Sequence, residues 1–221
     1  MASITQALII GLGQFGMALA RTLTELGVEV LAVDRNQHLV QSAASFVSEA
    51  ACFDATDEES LARADPRRRD LCVCAIGNEA REASIIVTAL LRQMGAPRIV
   101  ARAGDDLLER ILRLVGSHEI VNPERAYGQR LASRLLYKDI VEQVPLGSDL
   151  TITELHPPPA VVGRSLAQLR LAERFAINVV ALRSAGGGAT IQPDPERPLA
   201  SEDILVLVSR PEAIRRLLEA T

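Results

Sequence analysis

The chain is 221 residues long, 48% hydrophobic and 24% charged, with a formal net charge of −4. It can bury a core, which excludes whole-chain disorder, and it has room for one large domain or a medium one with a small companion. The charge divides evenly, 16 basic against 18 acidic residues over 1–139 and 8 against 10 over 140–221, and aromatics are 3% with no Trp; the lack of a basic patch or a base-stacking platform argues against nucleic acid as the main partner.

Strand-like and helix-like patterns alternate along the first part of the chain. Ala7–Ile10 is a continuous apolar run, the pattern of a parallel strand covered on both faces. Gly11-Leu12-Gly13-Gln14-Phe15-Gly16 follows, then a helix over Met17–Leu26 closed by Gly27. Val28–Asp34 reads as the second strand, and Asn36 caps a helix over Gln37–Ser45. Ala51–Phe53 is a short third strand, and Thr56 caps a helix over Asp57–Ala64 that Asp65-Pro66 breaks. Leu71–Ile76 is the fourth strand, and Asn78 opens a helix to Met94. Arg98–Arg102 is the fifth strand, Asp105–Val115 a helix, and His118–Val121 a sixth strand. Asn122-Pro123-Glu124 then starts a helix to Tyr137. This alternation predicts an α/β fold with a Rossmann-type, doubly wound parallel sheet.

The pattern changes near Ile140. Val141–Val144, Asp149–Leu155, Ile177–Arg183, Ala189–Gln192 and Ile204–Ser209 read as strands without long helices between them. Pro157-Pro158-Pro159, Gly186-Gly187-Gly188 and Pro193-Asp194-Pro195 connect them, and a helix from Pro211 to Ala220 closes the chain. The reading is a nucleotide-binding domain over 1–138 and a smaller α+β domain over 139–221.

The glycine hexapeptide has the context that gives it meaning, because it follows a strand and opens a helix. Gly11 permits the tight turn, Gly13 lets a pyrophosphate approach the backbone, and Gly16 allows close helix–strand packing. The free N–H groups at the helix start, from Gln14 and Phe15 onward, receive the anion. Asp34 ends the second strand, 23 residues after Gly11, where a carboxylate accepts ribose hydroxyls and repels a 2′-phosphate. Arg35 beside it is the kind of residue that NADP enzymes use. Ligands sit beyond the carboxyl ends of such strands, so Asp54, Ala55 and Thr56 after strand three and Ala75, Ile76, Gly77, Asn78 and Glu79 after strand four join the candidate site. Asp54 fits a helix cap as well as a ligand contact. Arg102, ending strand five, faces phosphates or pairs with Asp105 or Asp106.

An oxidoreductase also needs an acid–base residue beside the reacting ring. His38, His118 and His156 lie in no partner pattern, and Lys138, the sole lysine, adjoins Tyr137 directly. Cys52, Cys72 and Cys74 match no metal spacing, and Cys72 and Cys74 share one face of a buried strand as inert core. Binding without chemistry is the better reading; a small soluble NAD-dependent oxidoreductase and a nucleotide-binding transcriptional or scaffold protein are the alternatives. No apolar run reaches the ~18 residues that span a bilayer, so the chain is expected in the cytosol, with any membrane link made through a partner.

In order, Gly11–Gly16, Val30–Asp34, Asp54-Ala55-Thr56, Ala75-Ile76-Gly77, the Arg102 strand and Asn122-Pro123-Glu124, then Ser165–Leu171, Phe175–Leu182 and Asp203–Val208, resemble the KTN/RCK family, the cytosolic regulatory subunits of Trk/Ktr-type potassium uptake systems. The resemblance covers essentially the whole chain. It implies a nucleotide sensor (ATP, ADP, NAD or NADH) that forms homodimers and an octameric ring under a membrane potassium channel or transporter subunit of the TrkH/KtrB type. It further implies that Glu124 sits near the phosphates at the dimer interface and takes part in binding a divalent cation. An acid after Pro123 also simply stabilises a helix start. Three positions depart from the family. Gln14 stands where ATP-sensing members often carry Arg, which leaves NAD or NADH the more plausible ligand. Phe53 replaces a common glycine. In the small domain Ile177, Asn178 and Val179 resemble a cyclic di-AMP site, but Ala172 stands where a basic residue is usual.

Overall fold

Strands β1 (Gln6–Ile10), β2 (Glu29–Asp34), β3 (Glu49–Cys52), β4 (Leu71–Cys74), β5 (Ile99–Arg102) and β6 (Glu119–Val121) build a parallel sheet in the order β3-β2-β1-β4-β5-β6. Helices α1 (Gln14–Glu25) and α2 (Gln37–Ala43) cover one face, while α3 (Glu58–Ala62), α4 (Arg81–Gln93) and α5 (Asp106–Val115) cover the other. In β1, Leu8 and Ile10 enter the cluster with Leu61, Val87, Leu91 and Leu112, and Ala7 and Ile9 enter the cluster with Ala20, Val40 and Ala43. Burial on both sides is why the strand shows no polar alternation. The computed structural model describes residues 4–147, 149–184 and 188–220, so Gly186 and Gly187 of the expected glycine connection lie outside the described residues. The chain forms two compact units, Met1–Arg125 and Ala126–Thr221.

The strand order runs outward in both directions from the β1–β4 pair, which opens a crevice at their carboxyl ends. Strand β4 is shorter than its apolar run suggests. Its register with β1 ends at the Ile10–Cys74 pair, and the Ala75 N–H bonds to the Ile10 carbonyl at 2.7 Å. That bond is the last between the two strands, and Ala75, Ile76 and Gly77 line the crevice at its end. Two helix starts differ from expectation. Asp57, not Thr56, caps α3 by accepting the Ser60 N–H at 2.8 Å, because Asp54 claims Thr56. Asn78–Ala80 form one 3-10 turn before α4. Asn36 caps α2 as the sequence predicts, and Asp105, expected as the first helical residue, is instead the N-cap of α5.

Helix α6 (Pro123–Leu136) leads into the second unit, which is an antiparallel sheet in the order β10-β9-β11-β8-β7: β7 (Ile140–Leu146), β8 (Leu150–Leu155), β9 (Asn178–Arg183), β10 (Ala189–Ile191) and β11 (Ile204–Ser209). Leu155, Leu182, Leu205 and Leu207 pack against Ala213, Ile214 and Leu217 of the closing helix, Pro211–Glu219. Two short helices before β9 escaped the sequence reading: α7 (Leu166–Leu169) and α8 (Leu171–Phe175), which make the closing helix α9. A capping box starts α7, with Ser165 and Gln168 bonding each other's backbone N–H. Ile177 is 1% exposed and belongs to the core. That corrects its assignment to a ligand-facing cyclic di-AMP site; Asn178 beside it is exposed.

Candidate functional site

The turn after β1 depends on two glycines. Gly11 has φ +94°, and a Cβ there would lie 3.0 Å from the Ile76 nitrogen and 3.1 Å from the Ala75 carbonyl carbon. Only glycine meets both conditions. A Cβ on Gly16 would collide with the Gly11 carbonyl oxygen, so Gly16 lets α1 sit directly on the turn. Gly13 has open space around it. As N-cap residue of α1 it gives no side-chain hydrogen bond, and the first turn of α1 holds no acidic residue. The leading N–H groups of the helix, including those of Gln14 and Phe15, therefore keep their capacity to bind an anion.

Asp34 holds the same turn from the end of β2. Its Oδ2 accepts the Leu12 N–H at 2.7 Å and its Oδ1 the Asn36 N–H at 2.8 Å. Each oxygen retains a lone pair for a ribose hydroxyl. Asp54 is fixed by a local turn: its Oδ1 accepts the Thr56 N–H at 2.9 Å and the Thr56 hydroxyl at 2.7 Å. Those bonds hold its carboxyl below the usual carboxylate range, with Arg35 adding a smaller pull. This corrects the helix-cap alternative for Asp54.

A cleft of about 490 Å³ opens over these groups. Gly11, Gly13, Asp34, Arg35, Asp54, Ala55 and Thr56 line it, as do Ala75, Ile76, Gly77, Glu79 and Arg102. Gln14, Phe15, Gly16, Asn78 and Glu124 do not. Gly16 is a packing residue. Asn78 lies over the backbone of Gly104, where a Cβ would strike its side-chain amide. Glu124 forms an ion pair with Arg102, whose guanidinium also stands 5.9 Å from the Phe15 ring centre. Both residues thus reach the cleft through Arg102, and the pairing of Arg102 with Asp105 or Asp106 does not form: Asp105 pairs with Arg81, and Asp106 with Arg125. Among the described residues no group of three or more His, Cys, Asp or Glu side chains is placed to hold a metal ion. Sequence reasoning missed Asn36, Leu39 and Phe53 on one wall and Glu82, Ala83, Ile86 and Val87 of α4 on another. Helical spacing after the switch-point strand is the signal that could have found the α4 residues.

The cysteines and histidines lie outside this lining. Burial pushes the Cys72 thiol up to about 12 and the Cys74 thiol up as well. Cys52, grouped with them from the sequence, is instead exposed. A thiol-alkylating reagent on the native chain is expected to modify Cys52 within minutes and to reach Cys72 and Cys74 only after denaturation, as peptide mass mapping reads directly. Two histidines have partners that the sequence did not reveal. His118 Nδ1 accepts the Ile99 N–H at 2.9 Å, and His156 Nδ1 lies 3.1 Å from the Asp203 carbonyl oxygen.

Residues 7–123 match the TrkA-N domain model, and residues 150–221 match the TrkA-C domain model. The chain belongs to the TrkA family. It is 33% identical over 97% of its length to the Ktr system potassium uptake protein A of Vibrio alginolyticus, covering 97% of that protein. To the Ktr system potassium uptake protein C of Bacillus subtilis (strain 168) it is 31% identical, over 94% of this chain and 93% of that one. Among solved structures, the GsuK channel bound to NAD superposes with a TM-score of 0.65 at 18% identity over 98% of this chain. The chain spans 39% of that channel's length. The TrkA-N domain of the Escherichia coli inner membrane protein ybaL superposes with a TM-score of 0.54 at 20% identity, over 62% of this chain and all of that one. The family resemblance read from the motifs and the Rossmann-plus-small-domain fold are thereby borne out. Among the described residues of this TrkA-family chain, no helix is long and apolar enough to cross a membrane.

Proposed function

We propose that this chain is the cytosolic, nucleotide-sensing regulatory subunit of a Ktr/Trk-type potassium uptake system, acting at the inner face of the membrane through a channel or transporter subunit of the TrkH/KtrB type. The observation that carries the reading is the cleft. A helix start with free N–H groups, a glycine turn and Asp34 converge in it, within a chain alignable almost end to end with a potassium uptake protein. An adenine nucleotide, NAD or NADH or ATP or ADP, would set its phosphates over Gly13 and the start of α1, a ribose on Asp34, and its base toward Asp54-Ala55-Thr56. Arg102 is the cation at the phosphate end, and a bound phosphate competes with Glu124 for it. Release of Glu124 would free a carboxylate for a divalent cation and loosen the start of α6. Assembly as homodimers and an octameric ring would sum such changes over many sites.

The cleft supports binding rather than turnover. No His, Lys, Tyr or Cys is among the residues that line it, and of its carboxylates Asp34 and Asp54 are occupied by hydrogen bonds from their own turns, an arrangement that favours holding a ligand over proton transfer to it. Potassium flux into vesicles carrying the membrane subunit is the test. Added chain should make flux nucleotide-dependent, and Asp34→Ala should remove that dependence. Flux indifferent to the chain at every nucleotide concentration would refute the reading.

A further inference from the structure

The cleft carries more negative than positive charge. Its lining holds four carboxylates, from Asp34, Asp54, Glu79 and Glu82, against the two guanidiniums of Arg35 and Arg102. Asp34 and Asp54 accept hydrogen bonds from their own neighbours in the chain. Arg102 already shares its charge with Glu124. Glu79 and Glu82 are exposed and have no ion-pair or hydrogen-bond partner among the described residues.

Their placement puts that charge beside the phosphate turn. The Glu79 carboxylate folds back over Gly77, where a Cβ would collide with its oxygens. Gly77 directly follows Ile76, whose backbone nitrogen abuts Gly11. Glu82, in the first turn of α4, also lines the cleft. The turn itself carries Gln14, a dipole rather than a charge, so it supplies no compensating cation.

We infer that Glu79 and Glu82 make this cleft selective for an adenine dinucleotide of low negative charge over a nucleoside triphosphate. The inference rests on the nucleotide-binding reading above and narrows it to a ligand class. A triphosphate brings about four negative charges and NAD+ about one net, so repulsion from two unpaired carboxylates weighs far more on the former. The second half of a dinucleotide offers ribose hydroxyls and an amide N–H₂, which donate to carboxylates, where a triphosphate offers only acceptors. The repulsion is screened by salt.

Calorimetric titration of the full chain with NAD+ and with ATP, in low and high salt, tests this. The wild type should bind NAD+ more tightly than ATP, and raising the salt should tighten ATP. Glu79→Gln with Glu82→Gln should shift the NAD+/ATP affinity ratio toward ATP by about tenfold, the scale of two near-surface charges, and should reverse the salt response of ATP. Both side chains are exposed, so an unchanged melting temperature verifies the fold of the variant. An unchanged ratio overturns the inference and leaves the nucleotide-binding reading standing. So does ATP binding that requires magnesium and is lost in the variant, because the carboxylates would then hold a cation. A wild type that binds neither ligand overturns both.

Discussion

Gly16→Ala is expected to abolish nucleotide binding and to lower the melting temperature of the first unit by about 10 °C. The added methyl would meet the Gly11 carbonyl oxygen, a backbone atom that cannot swing aside. Gly11 is itself held by its φ of +94° and by its contact with Ile76 and Ala75. Relief therefore means moving α1 off the end of β1, at the upper end of overpacking costs, about 3 kcal/mol. Gly13→Ala is the control. Gly13 has φ −62° and open space around it, so alanine fits there without strain. That variant should melt like the wild type and still bind more weakly, because its methyl would stand where the proposed phosphate approaches the backbone. Scanning calorimetry with and without nucleotide separates the two. Equal melting temperatures for both variants would contradict the packing role of Gly16.

Arg197→Ala is expected to destabilise the second unit by about 3 kcal/mol, a drop of more than about 10 °C for a domain of this size. The Asp203 side chain is 1% exposed and is held by Arg197 through two bonds of 3.0 Å and by the Ala200 N–H at 2.8 Å. Burial alone raises the Asp203 carboxyl; the Arg197 guanidinium and the Ala200 N–H outweigh it, and the net value lies below the usual range. A group depressed in the folded state contributes stability that is complete above its unfolded value, near 3.9, and is lost as the pH falls through the folded value. Without Arg197 burial prevails, the carboxyl rises, and the variant regains stability on acidification. The gap between wild type and Arg197→Ala should therefore narrow from pH 7 to pH 4. A gap that stays constant over that range would show that the pair is not what Arg197 contributes.

The parts of the molecule legible in the sequence are those where one residue type answers one backbone demand. β1, the Gly11–Gly16 turn and Asp34 are of this kind, because their conformations admit few other residues. Alternation of apolar runs with capped helices then placed six parallel strands in order. Choices between neighbours of equal aptitude were not legible. Thr56 and Asp57 both cap helices, and the winner depends on Asp54 engaging Thr56. Helices α7 and α8 span four and five residues, too few to show a period, although the Ser165–Gln168 spacing marked a start. The α4 wall of the cleft, with Glu82, Ala83 and Ile86, comes from how a helix docks on a sheet, a tertiary fact that no local pattern records, and the Arg197–Asp203 pair joins two charges across an irregular loop that has no period to read. Ile177 illustrates the converse: it stands among the residues that resemble a cyclic di-AMP site, whereas it is a core residue just before β9 begins.

On the proposed function, the cleft at Gly11–Gly16 and Asp34 binds an adenine nucleotide and does no chemistry on it. Titration calorimetry of the full chain with NAD+ and ADP, followed by chromatography of the recovered ligand, tests it most directly. The expected result is saturable binding that Asp34→Ala weakens at least about tenfold, in line with the loss of a charged hydrogen-bond acceptor, with the nucleotide returned unchanged. Binding to neither ligand, or conversion of the nucleotide in the recovered sample, would contradict the claim.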